Sequence, residues 1–298
     1  MYYLLTDKND IITDLIIDDD FNINSSNGIS MHYALRDLYK RKYSKKKCGN
    51  FIKSFKNYWR CSYIDVCSMY IRCILTHNIK NNKIILGDRY YLFDPRTIKK
   101  FNLIIDESFI NAGCVAGDTN FLEWWHKSNM PLKYNELALM YASCNGHINV
   151  LEWWYKSNLP LKYNTDAMGY ASSYGHVSVL EWWIKSNLPL KYNTNHALYD
   201  ASFGGNVNVL AWWLKSNLPL KYDGKVLDVA SSRGHINVLE WWKNSGLKLK
   251  YTDDALRYAY TNGHMNVLEW FINNNLKVPF HYKLKYNICV KKKKSFSK

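Results

Sequence analysis

Apolar residues fall on two short helical stripes that recur along most of the chain. In one unit Ala167, Met168 and Ala171 sit at i, i+1 and i+4, marking the buried face of a first helix that Gly175 ends. A second helical segment runs from Val177 through Val179, Leu180, Trp182, Trp183 and Ile184. It is apolar around most of its circumference, which predicts burial between neighbours. The pattern repeats: a Trp-Trp or Trp-Phe pair begins at Trp124, Trp153, Trp182, Trp212, Trp241 and Trp270, at spacings of 29, 29, 30, 29 and 29. Six repeats of helix, turn, helix and connector are predicted, and the single insertion, between Tyr192 and Ala197, lengthens a connector.

The stop signals agree. Asn129, Asn158, Asn187, Asn217, Gly246 and Asn275 fill one column just after the second helix, and Asn and Gly are the residues that tolerate a left-handed backbone. Pro131, Pro160, Pro189 and Pro219 follow two residues later, where helix cannot continue. Thr165-Asp166, Asp223 and Thr252-Asp253-Asp254 offer capping oxygens to the next first helix. A unit this short cannot bury both helices alone, so stability must come from stacking on its neighbours, and the fold class expected is an all-α solenoid.

Gly-His-Ile-Asn-Val-Leu-Glu-Trp-Trp at 146–154 and from Gly234, preceded by a first helix such as Ala255-Leu-Arg-Tyr-Ala259, resembles the ankyrin repeat. Residues 103 to about 280 are most similar to the divergent, tryptophan-rich ankyrin-repeat proteins of giant DNA viruses of amoebae. The chain departs from the family in its 29-residue unit, against about 33 in ankyrin, and in lacking the Thr-Pro-Leu-His motif, which implies stunted connector fingers. The resemblance implies a non-enzymatic scaffold that binds a partner protein on the concave face of the array. It also implies a viral protein acting on host proteins.

Contacts are expected at columns that change character between fixed neighbours. One column holds Met140, Gly169, Tyr199, Asp228 and Arg257; the other holds Asn145, Tyr174, Gly204, Arg233 and Asn262. The candidate partner-binding residues are Met140, Asn145, Tyr174, Tyr199, Asp228, Arg233 and Arg257.

Charge brings in one rival reading. Lys plus Arg outnumber Asp plus Glu by 40 to 25, for a net charge of +15 over 298 residues. Much of this reflects an abundance of Lys and Asn that AT-rich codons would produce. Lys133, Lys162, Lys191, Lys221 and Lys250 nevertheless form a ladder, each followed by a tyrosine, which could track a nucleic-acid backbone or another polyanion. The competing expectation packs the tyrosine rings under the connectors and leaves the lysines solvated; Phe280 in the last unit suggests that the ring matters more than the hydroxyl. A basic segment over 36–60 and the tail Lys291 to Lys294 could add to an anionic contact.

Other constellations read as structural. His147, His176, His235 and His264 form a ladder, but stacked helices hold its rungs roughly 8 to 10 Å apart, too far to share one metal ion. Seven dispersed cysteines without a C-x-x-C pair suggest reduced thiols. No Ser-His-Asp order, paired carboxylates, Walker-type loop or dinucleotide turn is present, so no catalytic residue, metal or cofactor is assigned and no small-molecule substrate is expected. The first residues carry no basic leader, and no run of 18 apolar residues occurs. These features predict an intracellular protein with no membrane partner, and the viral resemblance implies the host cytoplasm, with the nucleus as alternative.

Residues 1–102 show no copy of the repeat and are expected to form a small, mostly helical cap, with Asp65 to Ile79 as a buried helix and Lys83 to Phe93 as one or two strands. Residues 103–282 form the six repeats, and 283–298 a basic tail.

Overall fold

A computed structural model describes residues 2–6, 12–17, 21–23, 70–78, 83–100, 103 and 105–286. The chain divides into two units: Met1–Ala142 with Asn149–Lys162, and Ser143–Ile148 with Tyr163–Lys298.

Unit one begins with an antiparallel sheet. Its strands are β1 (Tyr2–Thr6), β2 (Ile12–Ile17), β3 (Phe21–Ile23), β4 (Tyr70–Asn78) and β5 (Lys83–Tyr91), in the order β3-β2-β1-β4-β5. Strand β4 corrects the expected helix over Asp65 to Ile79, of which residues 70–78 are described. A short apolar run does not by itself distinguish buried helix from strand. Here pairing decides: β4 lies between β1 and β5, with Leu4 opposite Arg72 and Arg72 opposite Arg89. Strand β5 falls where the β-branched run predicted it.

After β5 the chain turns into α1 (Pro95–Lys100), with proline in the first helical position and the Asp94 carboxylate accepting from the Arg96 amide at 2.8 Å. Four further helices follow: α2 (Glu107–Ala116), α3 (Thr119–Lys127), α4 (Leu137–Cys144) and α5 (Ile148–Lys156). Asp106 and Asp118 cap α2 and α3 by accepting from Phe109 and Phe121 amides. The rings of Phe93, Phe109 and Phe121 meet at 5.2 to 5.4 Å and seal α2 and α3 against the segment after the sheet.

Unit two is the helix-pair stack that the 29-residue period predicts. Its helices are α6 (Asp166–Ser173), α7 (Val177–Lys185), α8 (Ala197–Phe203), α9 (Val207–Lys215), α10 (Lys225–Ser232), α11 (Ile236–Asn244), α12 (Asp253–Thr261) and α13 (Met265–Asn273). First helices pack on first helices and second on second, α6 on α8 on α10 on α12 and α7 on α9 on α11 on α13, as in an ankyrin-like α-solenoid. A last helical stretch spans 280–286.

Three ladders of contacts between successive repeats explain why the columns hold. The second tryptophan of each pair is sealed, with Trp125, Trp154, Trp183, Trp213 and Trp242 at most 1% exposed. Its indole N–H donates to a buried group of the preceding repeat: Trp183 to Ser143 Oγ at 3.2 Å, Trp213 to Ser172 Oγ at 2.9 Å and Trp242 to Ser202 Oγ at 3.1 Å. In unit one Cys114 Sγ takes the serine's place opposite Trp154, at 3.4 Å. The ladder's two ends are visible as unmatched atoms: Trp125 Nε1 has no partner, and Ser231 Oγ has none because Phe271 replaces the tryptophan that would reach it.

The histidine ladder is structural. His176 Nε2 bonds the Cys144 carbonyl at 2.9 Å and His235 Nε2 the Phe203 carbonyl at 3.2 Å; where Asn206 replaces histidine, its amide donates to the Ser172 and Ser173 carbonyls. The ring lies over the turn glycine of the preceding repeat, so a Cβ at Gly205 would sit 2.9 Å from His235 Nδ1, on a backbone already at φ +76°. The column after the second helix is left-handed throughout, from φ 54° at Asn129 and Asn275 to 77° at Gly246, which is the backbone angle its composition predicts.

Candidate interaction surface

The lysine–tyrosine ladder is the first candidate, and the fold uses most of it. Lys162, Lys191 and Lys250 donate from Nζ to the carbonyls of Tyr134, Tyr163 and Tyr222, at 3.0, 3.1 and 3.2 Å. Each ammonium also stands 4.5 Å from the centroid of the same tyrosine ring. The rings in turn pack on the sealed indoles, as Tyr163 does on Trp183 at 4.9 Å. The tyrosine hydroxyls donate onward to connector carbonyls, Tyr134 to Pro160, Tyr163 to Pro189 and Tyr192 to Pro219.

The hydroxyl therefore matters as well as the ring, which corrects the inference drawn from Phe280: that ring is 78% exposed and has left the column's packing. The lysines are also not merely solvated, since three of them clasp the preceding connector. Lys221 departs from the rule, its backbone amide bonding the Thr194 carbonyl inside the inserted connector. Lys133 is exposed. The basic segment over 36–60 and the tail Lys291 to Lys294 lie outside the described residues.

The second candidate is the face formed by first helices and turns. Met140 and Asp228 are only 7% and 8% exposed, so neither is available as a contact residue. Asp228 is instead a strut: its carboxylate accepts from the Thr252 amide at 2.8 Å and hydroxyl at 2.7 Å, holding the entry to α12. Burial raises its pKa while the two Thr252 bonds pull it back. Asn145 and Tyr199 are half-buried, and Tyr174, Arg233 and Arg257 are exposed.

All five belong to unit two, and three of them come with organised surroundings. The Arg233 guanidinium lies 3.8 Å from the centroid of the Phe203 ring. Arg257 pairs with Asp254 at 2.7 Å and stands 4.7 Å from the Tyr258 ring. Tyr199 is pushed up in pKa by burial and the nearby Asp200 charge, with Arg233 opposing. These are the two arginines of the repeats, in a chain that otherwise uses lysine there.

A neighbouring column, Tyr141, Tyr170, Asp200, Val229 and Tyr258, also varies, though none of its residues stood among the candidates. Asp200 is its unusual member. Burial, with the Asp166 charge beside it, pushes its pKa up to about 7. The signal was present as an isolated acid in a column of tyrosines and valine, but its partial burial needed the packing of α8 on α6.

The outer side of the second helices is plainer. Glu123–Lys127, Glu152–Lys156 and Glu181–Lys185 form i,i+4 pairs at 2.7, 3.1 and 3.4 Å. Glu123 and Glu240 also accept the first indole of the next repeat, from Trp153 and Trp270. Cys114 and Cys144 are free and buried, and burial pushes both thiols up to about 12, far from a reactive thiolate. Among the described residues no three His, Cys, Asp or Glu side chains are grouped to hold a metal ion, and no helix is long and apolar enough to cross a membrane.

No protein-family model matches the chain, and no curated protein matches it. Among solved structures it is similar to the human ASB11 ankyrin repeat domain, at 12% identity and a TM-score of 0.46, over 56% of this chain and 84% of that one.

Proposed function

We propose that the chain is a non-enzymatic interaction scaffold that binds a partner protein on the first-helix face of unit two. The observation that carries this reading is the composition of that face: Arg233 over Phe203, Arg257 over Tyr258, with Tyr174 and Tyr258 each 42% exposed. Tyrosine and arginine dominate binding hot spots because they combine large apolar area with directed hydrogen bonds. The viral ancestry implied by the sequence resemblance would make the partner a host protein.

The polyanion reading is weakened by the lysines themselves. A lysine already bound to a carbonyl and an aromatic ring must surrender both to reach a phosphate, and Lys162, Lys191 and Lys250 are all so bound. Binding to DNA or RNA that falls steeply with salt would restore that reading.

The test is affinity capture from the cells in which the protein acts, comparing the native chain with a Tyr199→Ala, Arg233→Ala, Arg257→Ala variant. Loss of a captured protein from the folded variant supports the proposal; an unchanged set of captured proteins rejects the face.

A further inference from the structure

The outer side of the second helices carries its own recurring motif, and one repeat breaks it. In α3 the Glu123 carboxylate takes two donors at once: Lys127 Nζ, four residues on, at 2.7 Å, and the Trp153 indole N–H of the next repeat at 2.8 Å. The parts recur, with Glu152 and Glu181 paired to Lys156 and Lys185, and Glu240 accepting from Trp270 at 2.6 Å. Helix α9 departs from this. Glu123, Glu152, Glu181, Glu240 and Glu269 hold the position elsewhere, but α9 has Ala211, while both donors are kept at the same spacings as Lys215 and Trp241.

Among the described residues neither donor is engaged elsewhere. Lys215 makes no ion pair or hydrogen bond, and the Trp241 indole N–H has no acceptor, its ring meeting Trp242 edge-on at 5.3 Å. The carboxylates on the flanking helices are committed, Glu181 to Lys185 on α7 and Glu240 to Trp270 on α11. Lys215 is exposed and Trp241 half-buried, so both are open to a ligand. The surface beside them is apolar. Leu214, on the same face of α9 as Ala211, is 40% exposed, and Ile184 at the matching place on α7 is 38% exposed.

We infer that Ala211, Lys215 and Trp241 form a receptor for a carboxylate side chain, aspartate or glutamate, carried beside an apolar residue on a partner protein. The incoming carboxylate takes the place that glutamate takes in the other repeats. The Lys215 ammonium supplies the charge, the Trp241 N–H directs one oxygen, and Ala211 leaves the space that a glutamate side chain would fill. The apolar neighbour covers Leu214 and Ile184. An acidic segment also suits a chain with a net charge of +15. The site belongs to the second helices, takes a partner segment of its own, and does not depend on the reading of the first-helix face.

The first test lies inside the chain. Ala211→Glu puts the acid back, so its thermal midpoint should exceed that of Ala211→Gln by about 1 to 3 °C, and the difference should vanish when Lys215→Ala and Trp241→Phe are added. No difference, or an equal one without the two donors, would show that they do not converge on a carboxylate and would overturn the inference.

The second test pans a random peptide library on the full-length chain, with circular dichroism confirming that each variant is folded. The expected peptides contain an aspartate or glutamate whose change to the amide costs about tenfold. They should bind Lys215→Ala and Trp241→Phe about three- to tenfold more weakly and be lost from Ala211→Glu. They should bind the Tyr199→Ala, Arg233→Ala, Arg257→Ala variant as well as the native chain, which separates this site from the first-helix face. Recovery of no acid-dependent peptide sensitive to Ala211→Glu would overturn the inference and leave the first-helix reading standing. A single-stranded DNA oligonucleotide displaced by Ala211→Glu, with no such peptide recovered, would also overturn it by assigning the two donors to phosphate.

Discussion

Within unit two the second helices and the first helices treat their polar atoms differently. On the second-helix side polar side chains meet partners in adjacent repeats: indole to serine and histidine to turn carbonyl one repeat earlier, tyrosine hydroxyl to connector carbonyl one repeat later. These pairings recur in register, so one repeat's chemistry is the next repeat's support. On the first-helix side the register breaks. Asp228 finds Thr252, Asp200 is half-buried beside the Asp166 charge, and Arg233 and Arg257 rest on aromatic rings. The columns that stay constant carry the fold, and the columns that vary without a compensating partner are free to carry recognition.

The harshest way to break the constant side is Trp213→Ala. Removing a sealed indole that also satisfies Ser172 should cost about 4 kcal/mol, read by chemical denaturation, with unit two losing its cooperative transition. An effect below about 1 kcal/mol would mean that the indole column does not hold the stack.

Asp200→Asn should act in the opposite direction. The folded state raises this carboxyl above its unfolded value near 3.8, so the charged form is what destabilises. Stability is complete below the unfolded value and is lost as pH rises towards about 7. The variant should therefore be more stable than the native chain by about 2 kcal/mol above pH 7, with the gain shrinking towards pH 4. A loss of stability at pH 8 would show that the folded state stabilises the ionised Asp200 carboxylate.

Two serines sharpen the same contrast at smaller scale. Ser202→Ala strands the Trp242 indole N–H and should cost about 1 to 2 kcal/mol, whereas Ser231→Ala removes a hydroxyl that has no partner and should be neutral or stabilising. Equal costs at both sites would dismiss the indole ladder.

The histidines give the weakest effect. Burial lowers His176 and His235 below their usual value, so their contribution is complete above about pH 6.5 and fades as pH falls through the lowered values. Native protein should lose stability across that acid window, and an asparagine at both positions, as at Asn206, should flatten the loss.

Much of this architecture could be read from the chain because the repeat copies each residue's environment. The left-handed column was legible in its alternation of Asn and Gly, and the histidine ladder in its position after the turn. The partners were not legible, because a lysine and the tyrosine it clasps lie 28 residues apart and only stacking brings them together. The same limit applied to Met140 and Asp228, whose column varies because its size changes are absorbed inside the stack, as Gly169 absorbs Asp200. Strand β4 escaped for a different reason, since its apolar run fits a helix until β1 and β5 flank it.

The central claim, that recognition belongs to the first-helix face, can be put directly by proximity labelling in cells with two matched variants. One carries alanine at Tyr199, Arg233 and Arg257, and the other carries alanine at Ile184 and Leu214, which are 38% and 40% exposed on the second helices. The account predicts that the first loses the labelled partner while the second keeps it, both remaining folded. Retention by the first and loss by the second would contradict it.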